Sequence, residues 1–249
     1  MNDKHGKMVF GLLGKSLGHS FSQEYFTKKF EAEGIDAVYQ NLELAQIDEL
    51  KTVLRTENLK GLNVTIPYKS DVIPFLDGLS DEAAKIGAVN TIINENGKWI
   101  GANTDAFGFQ QMIKPFLLNI HERALILGNG GASKAVAYVL KSIGLDVIFA
   151  ARNPQVGQFH LSEVNDMMVK HCGIIVNTTP VGTWPNVDDY ISIPFHALTD
   201  AHLVVDLIYN PEQTEFLKRA SEQGATTLNG LTMLYQQAEK SWQLWKATI

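Results

Sequence analysis

The stretch Arg123-Ala-Leu-Ile-Leu-Gly128-Asn129-Gly130-Gly131-Ala132-Ser133 constrains this chain more than any other. An apolar strand runs straight into a glycine-rich turn, and a run with helical spacing follows to Ile143, stopped by Gly144. Strand, glycine turn and helix in that order belong to α/β folds with a parallel sheet. Gly128 permits the tight turn. Gly130 lets backbone amides approach a pyrophosphate, and the helix N-terminus points at the anion. Ser133 stands where a third glycine is usual and is small enough for close helix–strand packing. A Gly-x-Gly match alone is weak, since such turns also serve packing, but here the strand and helix lie on the correct sides. Gly128, Asn129, Gly130, Gly131, Ala132 and Ser133 are therefore candidate dinucleotide-binding residues.

The next strand, Val147 to Ala151, should end beside the adenosine ribose. An NAD site would carry an acid there, whereas this chain has Ala150-Ala151-Arg152-Asn153-Pro154. Arg152 can pair with a 2′-phosphate, which favours NADP. The other reading of Arg152 is a solvated surface arginine.

The rest of the chain alternates in the same way. Strands are expected at Val9–Leu13, Ala37–Leu44 and Leu62–Ile66. A helix is expected from Ser22, as its cap, to Glu33, with Tyr25, Phe26 and Phe30 as its stripe and Gly34 as its stop. Gln46–Leu54 has helical spacing, and Pro67 sits where another helix would begin. Together these imply a mostly parallel sheet. Asn96-Gly97, between two apolar runs, signals a hairpin within Val89–Gly101. Beyond Gly101 come a helix Ala106–Leu118 broken near its end by Pro115, strands Gly173–Asn177 and Leu203–Asp206, and a helix Pro211–Gln223. A last helix, Leu231–Trp245, has the stripe Leu234, Ala238, Trp242 and Trp245. At 249 residues there is room for two domains. The expected division is 1–102, completed by 231–249, and 103–230.

Composition excludes several function classes. A net charge of −6 with no basic block argues against nucleic-acid binding. No stretch reaches the length of a membrane span, and Met1–Met8 is too polar for a signal peptide. A single cysteine, Cys172, excludes an internal disulfide and fits a reducing, cytoplasmic setting. No histidine spacing suggests a metal site.

Several polar clusters sit where strands end. Asn63-Val-Thr65-Ile-Pro67-Tyr-Lys69 follows the third strand, and strand ends in open parallel sheets are where ligands bind. Taken singly, each cluster has a plain reading. Lys69 could be an exposed lysine, Asp105 a helix cap, and Gly87-Ala-Val-Asn90-Thr91 a turn.

Taken together, the clusters resemble the shikimate dehydrogenase family. The matching segments are Gly14-Lys-Ser-Leu-Gly-His19-Ser20-Phe-Ser22, Asn63 to Lys69, Gly87 to Thr91, Asn103-Thr-Asp105, Gly128 to Ser133, Asn177-Thr178-Thr-Pro-Val-Gly182, Val205-Asp-Leu-Ile-Tyr209, and Asn229-Gly230-Leu-Thr-Met-Leu-Tyr-Gln-Gln237-Ala. They run in order over nearly the whole chain. The resemblance implies an N-terminal α/β substrate domain, completed by the last helix, and a C-terminal Rossmann domain for NADP, with the site in the cleft between them. It implies reversible, NADPH-dependent reduction of 3-dehydroshikimate to shikimate. Lys69 and Asp105 would handle the proton. Ser20, Ser22 and Tyr209 would hold the carboxylate, and Thr65, Asn90 and Gln237 the ring hydroxyls. Thr178 and Gly230 would join the cofactor site.

The chain departs from the family pattern in three places. Ser16 and Gln23 replace prolines, Ala151-Arg152-Asn153 replaces Asn-Arg-Thr, and the segment 153–172 is short where the family has a full helix. Two alternatives remain beside the main reading. One is a quinate/shikimate dehydrogenase using either cofactor, and the other is a non-catalytic sensor of NADP(H) or a shikimate-like acid. The small-molecule substrate is the expected partner, and the chain is expected to be a monomer or homodimer.

Overall fold

The computed structural model describes residues 6–18 and 21–249. The chain forms two compact units, Met1–Thr104 with Ala238–Ile249, and Asp105–Gln237.

The first unit is built on a six-stranded sheet. Its strands are β1 (Met8–Gly14), β2 (Ala37–Glu43), β3 (Leu59–Val64), β4 (Gly78–Leu79), β5 (Thr91–Glu95) and β6 (Lys98–Ala102), in the order β2-β1-β3-β5-β6-β4. β1 pairs in parallel with β2 and β3. β5 pairs antiparallel with β3 and β6, so the sheet is mixed rather than mostly parallel. The Asn96-Gly97 hairpin makes the β5/β6 pair. Both residues have positive φ, 54° and 88°, as a tight two-residue turn requires.

Helix α1 (Phe21–Glu33) begins one residue before the expected cap. Ser22 lies inside its first turn, buried, and bonds Tyr39 rather than capping the helix. The segment 46–54 forms a 3₁₀ turn, Ile47–Glu49, and the short α2 (Leu50–Val53). No helix starts at Pro67. The Ile66 and Lys69 carbonyls accept from the Lys15 and Val89 N–H groups, at 3.4 and 2.7 Å, instead of from residues further along a helix. Helix α3 (Asp81–Ile86) is capped by Ser80, whose hydroxyl accepts from Ala83 N–H, and closed by Gly87 at φ 68°.

Two apolar clusters sandwich this sheet. One contains Leu13, Leu50, Leu62, Val72 and Ile92. The other gathers Phe10, Phe26, Phe30 and Tyr39 with Ala238, Trp242 and Trp245 of α8 (Leu231–Lys246). The Trp245 indole N–H donates to the Ile92 carbonyl at 3.0 Å. Its ring lies against Gly61, where any Cβ would collide with it.

The second unit contains β7 (Arg123–Leu127), β8 (Asp146–Ala151), β9 (Phe159–His160), β10 (Ile174–Asn177), β11 (Leu203–Asp206) and β12 (Thr226–Leu228). All pair in parallel, in the order β12-β11-β10-β7-β8-β9. Counted from its first strand this is the Rossmann order 3-2-1-4-5-6. Helix α4 (Asp105–Ile113) starts at Asp105 and gives way at Lys114-Pro115-Phe116 to a 3₁₀ turn, so it is shorter than expected. Helix α5 (Gly131–Ser142) starts two residues early, with Gly130 as its cap. The segment 153–172 forms β9, a 3₁₀ turn Leu161–Glu163 and the six-residue helix α6 (Asp166–His171). Helix α7 (Glu215–Glu222) starts four residues later than Pro211, because the Thr214 hydroxyl caps it by accepting from Leu217 N–H.

Candidate active site

In an open α/β sheet, ligands bind beyond the carboxyl ends of the strands, where the chain reverses the direction in which it adds strands. In the first unit β2 is laid on one side of β1 and β3 on the other, so the switch lies between β1 and β3. Thr65 follows β3 there. Its N–H donates to Leu13 O at 2.8 Å, at the end of β1. Asn90 is tied to the same place by Val64 N–H to Asn90 O at 2.8 Å, and Lys69 by Val89 N–H to Lys69 O at 2.7 Å. Backbone bonds thus bring Thr65, Lys69 and Asn90 to one strand end. Ser20 lies outside the described residues.

Beneath that edge runs a buried network of neutral groups. Tyr39 OH donates to Asn63 Oδ1 at 2.8 Å. Asn63 Nδ2 donates to Ser241 Oγ at 2.9 Å and, at 3.3 Å, to Thr91 Oγ1. Thr91 and Thr104 hydroxyls each meet Ser241 Oγ, at 2.8 and 3.1 Å. Thr104 N–H donates to Asn90 Oδ1 at 2.6 Å, and Asn90 Nδ2 donates to Thr104 Oγ1 at 2.9 Å. Ser22 joins through Tyr39. Burial pushes the Tyr39 phenol well above its usual range, against the opposing Ser22 bond. The network therefore runs from Ser22 to Asn90 and sets the orientation of both.

In the second unit β8 and β9 are laid on one side of β7, and β10 to β12 on the other, so the switch lies between β7 and β10. Gly128 follows β7 at that point with φ 108°. A Cβ there would come within 2.7 Å of Thr178 Oγ1, which itself donates to Leu127 O at 2.8 Å. Gly128 is thus required by the fold. Gly130 is not: a Cβ on it would meet nothing within 4 Å. Its bare surface faces open space at the cap of α5, which fits a close-lying phosphate. Ser133 is fully buried, and its hydroxyl donates to Gly130 O at 2.6 Å. Gly131 and Ala132 complete the first turn of α5. Arg152 is exposed just beyond β8.

Asp206 closes β11. Its carboxylate accepts from Asn177 Nδ2 (3.1 Å), Ile208 N–H (3.1 Å) and Thr214 Oγ1 (2.7 Å). Burial pushes its carboxyl up to about 6, against the lowering effect of these three bonds. Asp206 thereby joins the last residue of β10 to the Ile208-Tyr209 segment and to the cap of α7. Tyr209 is partly exposed, and burial raises its phenol above the usual range. Gly230 N–H donates to Ile208 O at 2.9 Å, and a Cβ on Gly230 would collide with the Leu207 carbonyl. Asp105, at the start of α4, is buried, while Gln237 is half-buried and donates to Leu234 O at 3.0 Å.

The family model described as the shikimate dehydrogenase substrate binding domain matches residues 12–92. A shikimate dehydrogenase (NADP(+)) of Halothermothrix orenii is 40% identical over 95% of this chain and 90% of its own length. The crystal structure of shikimate dehydrogenase from Aquifex aeolicus superposes with a TM-score of 0.86 at 34% identity, covering 98% of this chain and 94% of that one. The chain belongs to the shikimate dehydrogenase family. A further structure of the family, from Thermus thermophilus in complex with NADP(H) and shikimate, gives a TM-score of 0.84 at 32% identity, covering 96% of this chain and 94% of that one.

Within this shikimate dehydrogenase framework, sequence reasoning missed the supporting residues. Asn63 and Asp206 fall inside segments already noted, yet nothing marked them as the hubs of hydrogen-bond networks. Tyr39 and Ser241 carry no local signal at all. A cavity of about 750 Å³ in the second unit is lined by Gln111, Phe116, Glu212, Thr227 and Asn229 among others. It holds none of the candidate catalytic, substrate-binding or cofactor-binding residues, and its one charged group, Glu212, is unsuited to an anion. Among the described residues no group of three or more His, Cys, Asp or Glu side chains could hold a metal ion, and no helix is long and apolar enough to cross a membrane.

Proposed function

We propose that this chain catalyses the reversible, NADPH-dependent reduction of 3-dehydroshikimate to shikimate, a step of chorismate and aromatic amino acid biosynthesis. The observation that carries this reading is the coincidence of family-matched residues with both switch points: Thr65, Lys69 and Asn90 at one, the Gly128–Ser133 turn and Thr178 at the other. The first unit takes the substrate and the second the cofactor.

The residues fit NADP. Gly130 leaves room for the pyrophosphate, Arg152 offers a cation to a 2′-phosphate, and the segment 152–160 has no carboxylate to select NAD. Gly128, Asn129, Gly130, Gly131, Ala132 and Ser133 hold the pyrophosphate side, with Thr178 and Gly230 toward the nicotinamide. When bound, NADPH supplies the hydride.

The chain's own groups do the rest. Reduction puts negative charge on the carbonyl oxygen of the substrate. The Lys69 ammonium stabilises that charge and gives up the proton, with Asp105 as its partner. Ser20 and Ser22 hold the carboxylate. Tyr209, through its neutral phenol O–H, donates to it as well. Thr65, Asn90 and Gln237 hold the ring hydroxyls. We take the working form as a cytoplasmic monomer or homodimer.

The test is the appearance of reduced nicotinamide when shikimate and NADP⁺ are mixed with the protein. Turnover is expected, and its absence overturns the reading. Lys69→Ala should lose about 10²–10⁴-fold in kcat with a smaller change in KM. Comparable kcat in that variant would remove Lys69 from the chemistry.

A further inference from the structure

Arg152 opens a loop whose shape is set from inside the glycine-rich turn. Asn129 lies between Gly128 and Gly130. Its side-chain amide is turned toward the loop, with Nδ2 donating to Asn153 O at 2.9 Å and to Gln158 Oε1 at 3.0 Å. Gln158 Oε1 also accepts from Gln155 N–H at 2.9 Å. Gln158 N–H donates back to Gln155 O at 2.9 Å, and Gly157, at φ 83°, allows the turn between them. β9 then pairs with the end of β8, Ala150 with Phe159 and Ala151 with His160. The loop is thus closed on itself and tied by one amide to the turn proposed to hold the pyrophosphate.

Arg152 is the only lysine or arginine in the segment 152–160. A single arginine on a loose loop grips a phosphate poorly, because ordering its backbone and long side chain consumes much of the attraction. A loop already held in place removes part of that cost.

We infer that Asn129 and Gln158 are positioning residues for cofactor selection, holding the 152–158 loop so that Arg152 meets the 2′-phosphate of NADP. Both N–H groups of the Asn129 amide are engaged by the loop, so its side chain acts on the cofactor through Arg152. The inference rests on the proposed NADP dependence, and the two fail in different ways.

NAD⁺ and NADP⁺ differ only in the 2′-phosphate, so the ratio of their dissociation constants, read by calorimetry on the whole protein, isolates that group. The wild type should prefer NADP⁺ by roughly tenfold or more, and Arg152→Ala should abolish the preference. Gln158→Ala and Asn129→Ala should each cut the preference about fivefold, the worth of one modest hydrogen bond. In Gln158→Ala, which lies outside the proposed pyrophosphate and substrate residues, NAD⁺ affinity and the KM for shikimate should stay unchanged. The double variant should lose less than the two single losses combined, because both substitutions remove the same Asn129–Gln158 bond. An unchanged ratio, equal weakening of both cofactors, or additive losses would overturn the inference. A wild type that binds the two cofactors equally overturns the NADP reading itself.

Discussion

Beneath the strand ends of the first unit lie neutral groups: Tyr39, Asn63, Thr91, Thr104 and Ser241, joined in one network with Asn90 and Ser22. Beneath those of the second lies a carboxylate, Asp206, held by Asn177, Thr214 and a backbone N–H. A neutral network can fix the direction of the groups above it without placing a charge beside an anionic substrate. Its members share partners, so the loss of one takes a hydrogen bond from several others inside the protein. An acid under a turn joins two loops through a single side chain, and this makes the joint sensitive to pH. The contrast predicts which unit responds to a lost amide and which to a lost proton.

The largest effect is expected from Asn63→Ala. It removes the acceptor of Tyr39 and one donor to Ser241, and should cost roughly 3–5 kcal/mol in urea unfolding, with little pH dependence between about pH 4 and 8. A loss below about 1 kcal/mol would show that the network is dispensable and the contrast false.

Asp206→Asn probes the other side. The Asp206 carboxyl is raised from 3.8 to about 6 by burial, so the folded state binds its proton more tightly than the unfolded chain does. Its contribution is fully present below pH ~4 and is lost as pH rises through ~6. The stability of the wild type relative to Asp206→Asn should therefore fall by about 3 kcal/mol over that window and stay level above it. A flat difference would mean that the acid is solvated in the native state.

The smallest effect belongs to the surface of the first unit. Lys29 bridges Glu33 of α1 and Glu239 of α8, at 3.2 and 2.9 Å, and Tyr25 OH also donates to Glu239. Burial acts to raise the Glu239 carboxyl, but its bonds to Lys29 and Tyr25 outweigh it and hold the group below its usual range. Glu239→Gln should cost less than about 1 kcal/mol, and less still in high salt, because the pair is partly exposed. A larger loss than that of Asn63→Ala would place the unit's electrostatics at its surface and reverse the comparison.

Features with local causes were legible in the sequence. The Asn96-Gly97 hairpin needs two adjacent residues at positive φ, and the β7 turn needs Gly128 at a left-handed φ; both follow from residue type. The expected helix after Pro67 stops at isolated turns because the carbonyls of Ile66 and Lys69, on either side of that start, bond Lys15 and Val89, partners distant in sequence. Ser22 was misread as a cap because its partner, Tyr39, is on another element. For Lys69 and Asp105, residue type alone suggested a surface lysine and a helix cap. Only the matched segments around them argued for chemistry.

Trp245 and Gly61 have a consequence for how the protein is made. The ring that covers β3 of the first unit is encoded after every residue of the second. During synthesis the first hundred or so residues emerge without Ala238, Trp242 or Trp245, so one face of their sheet is covered by α1 alone while the Rossmann unit is translated. The Rossmann unit has its whole chain before the ribosome reaches Ala238, Trp242 and Trp245. The order of completion therefore reverses the order of translation, and the unit made first must wait in a partly finished state for its own last helix.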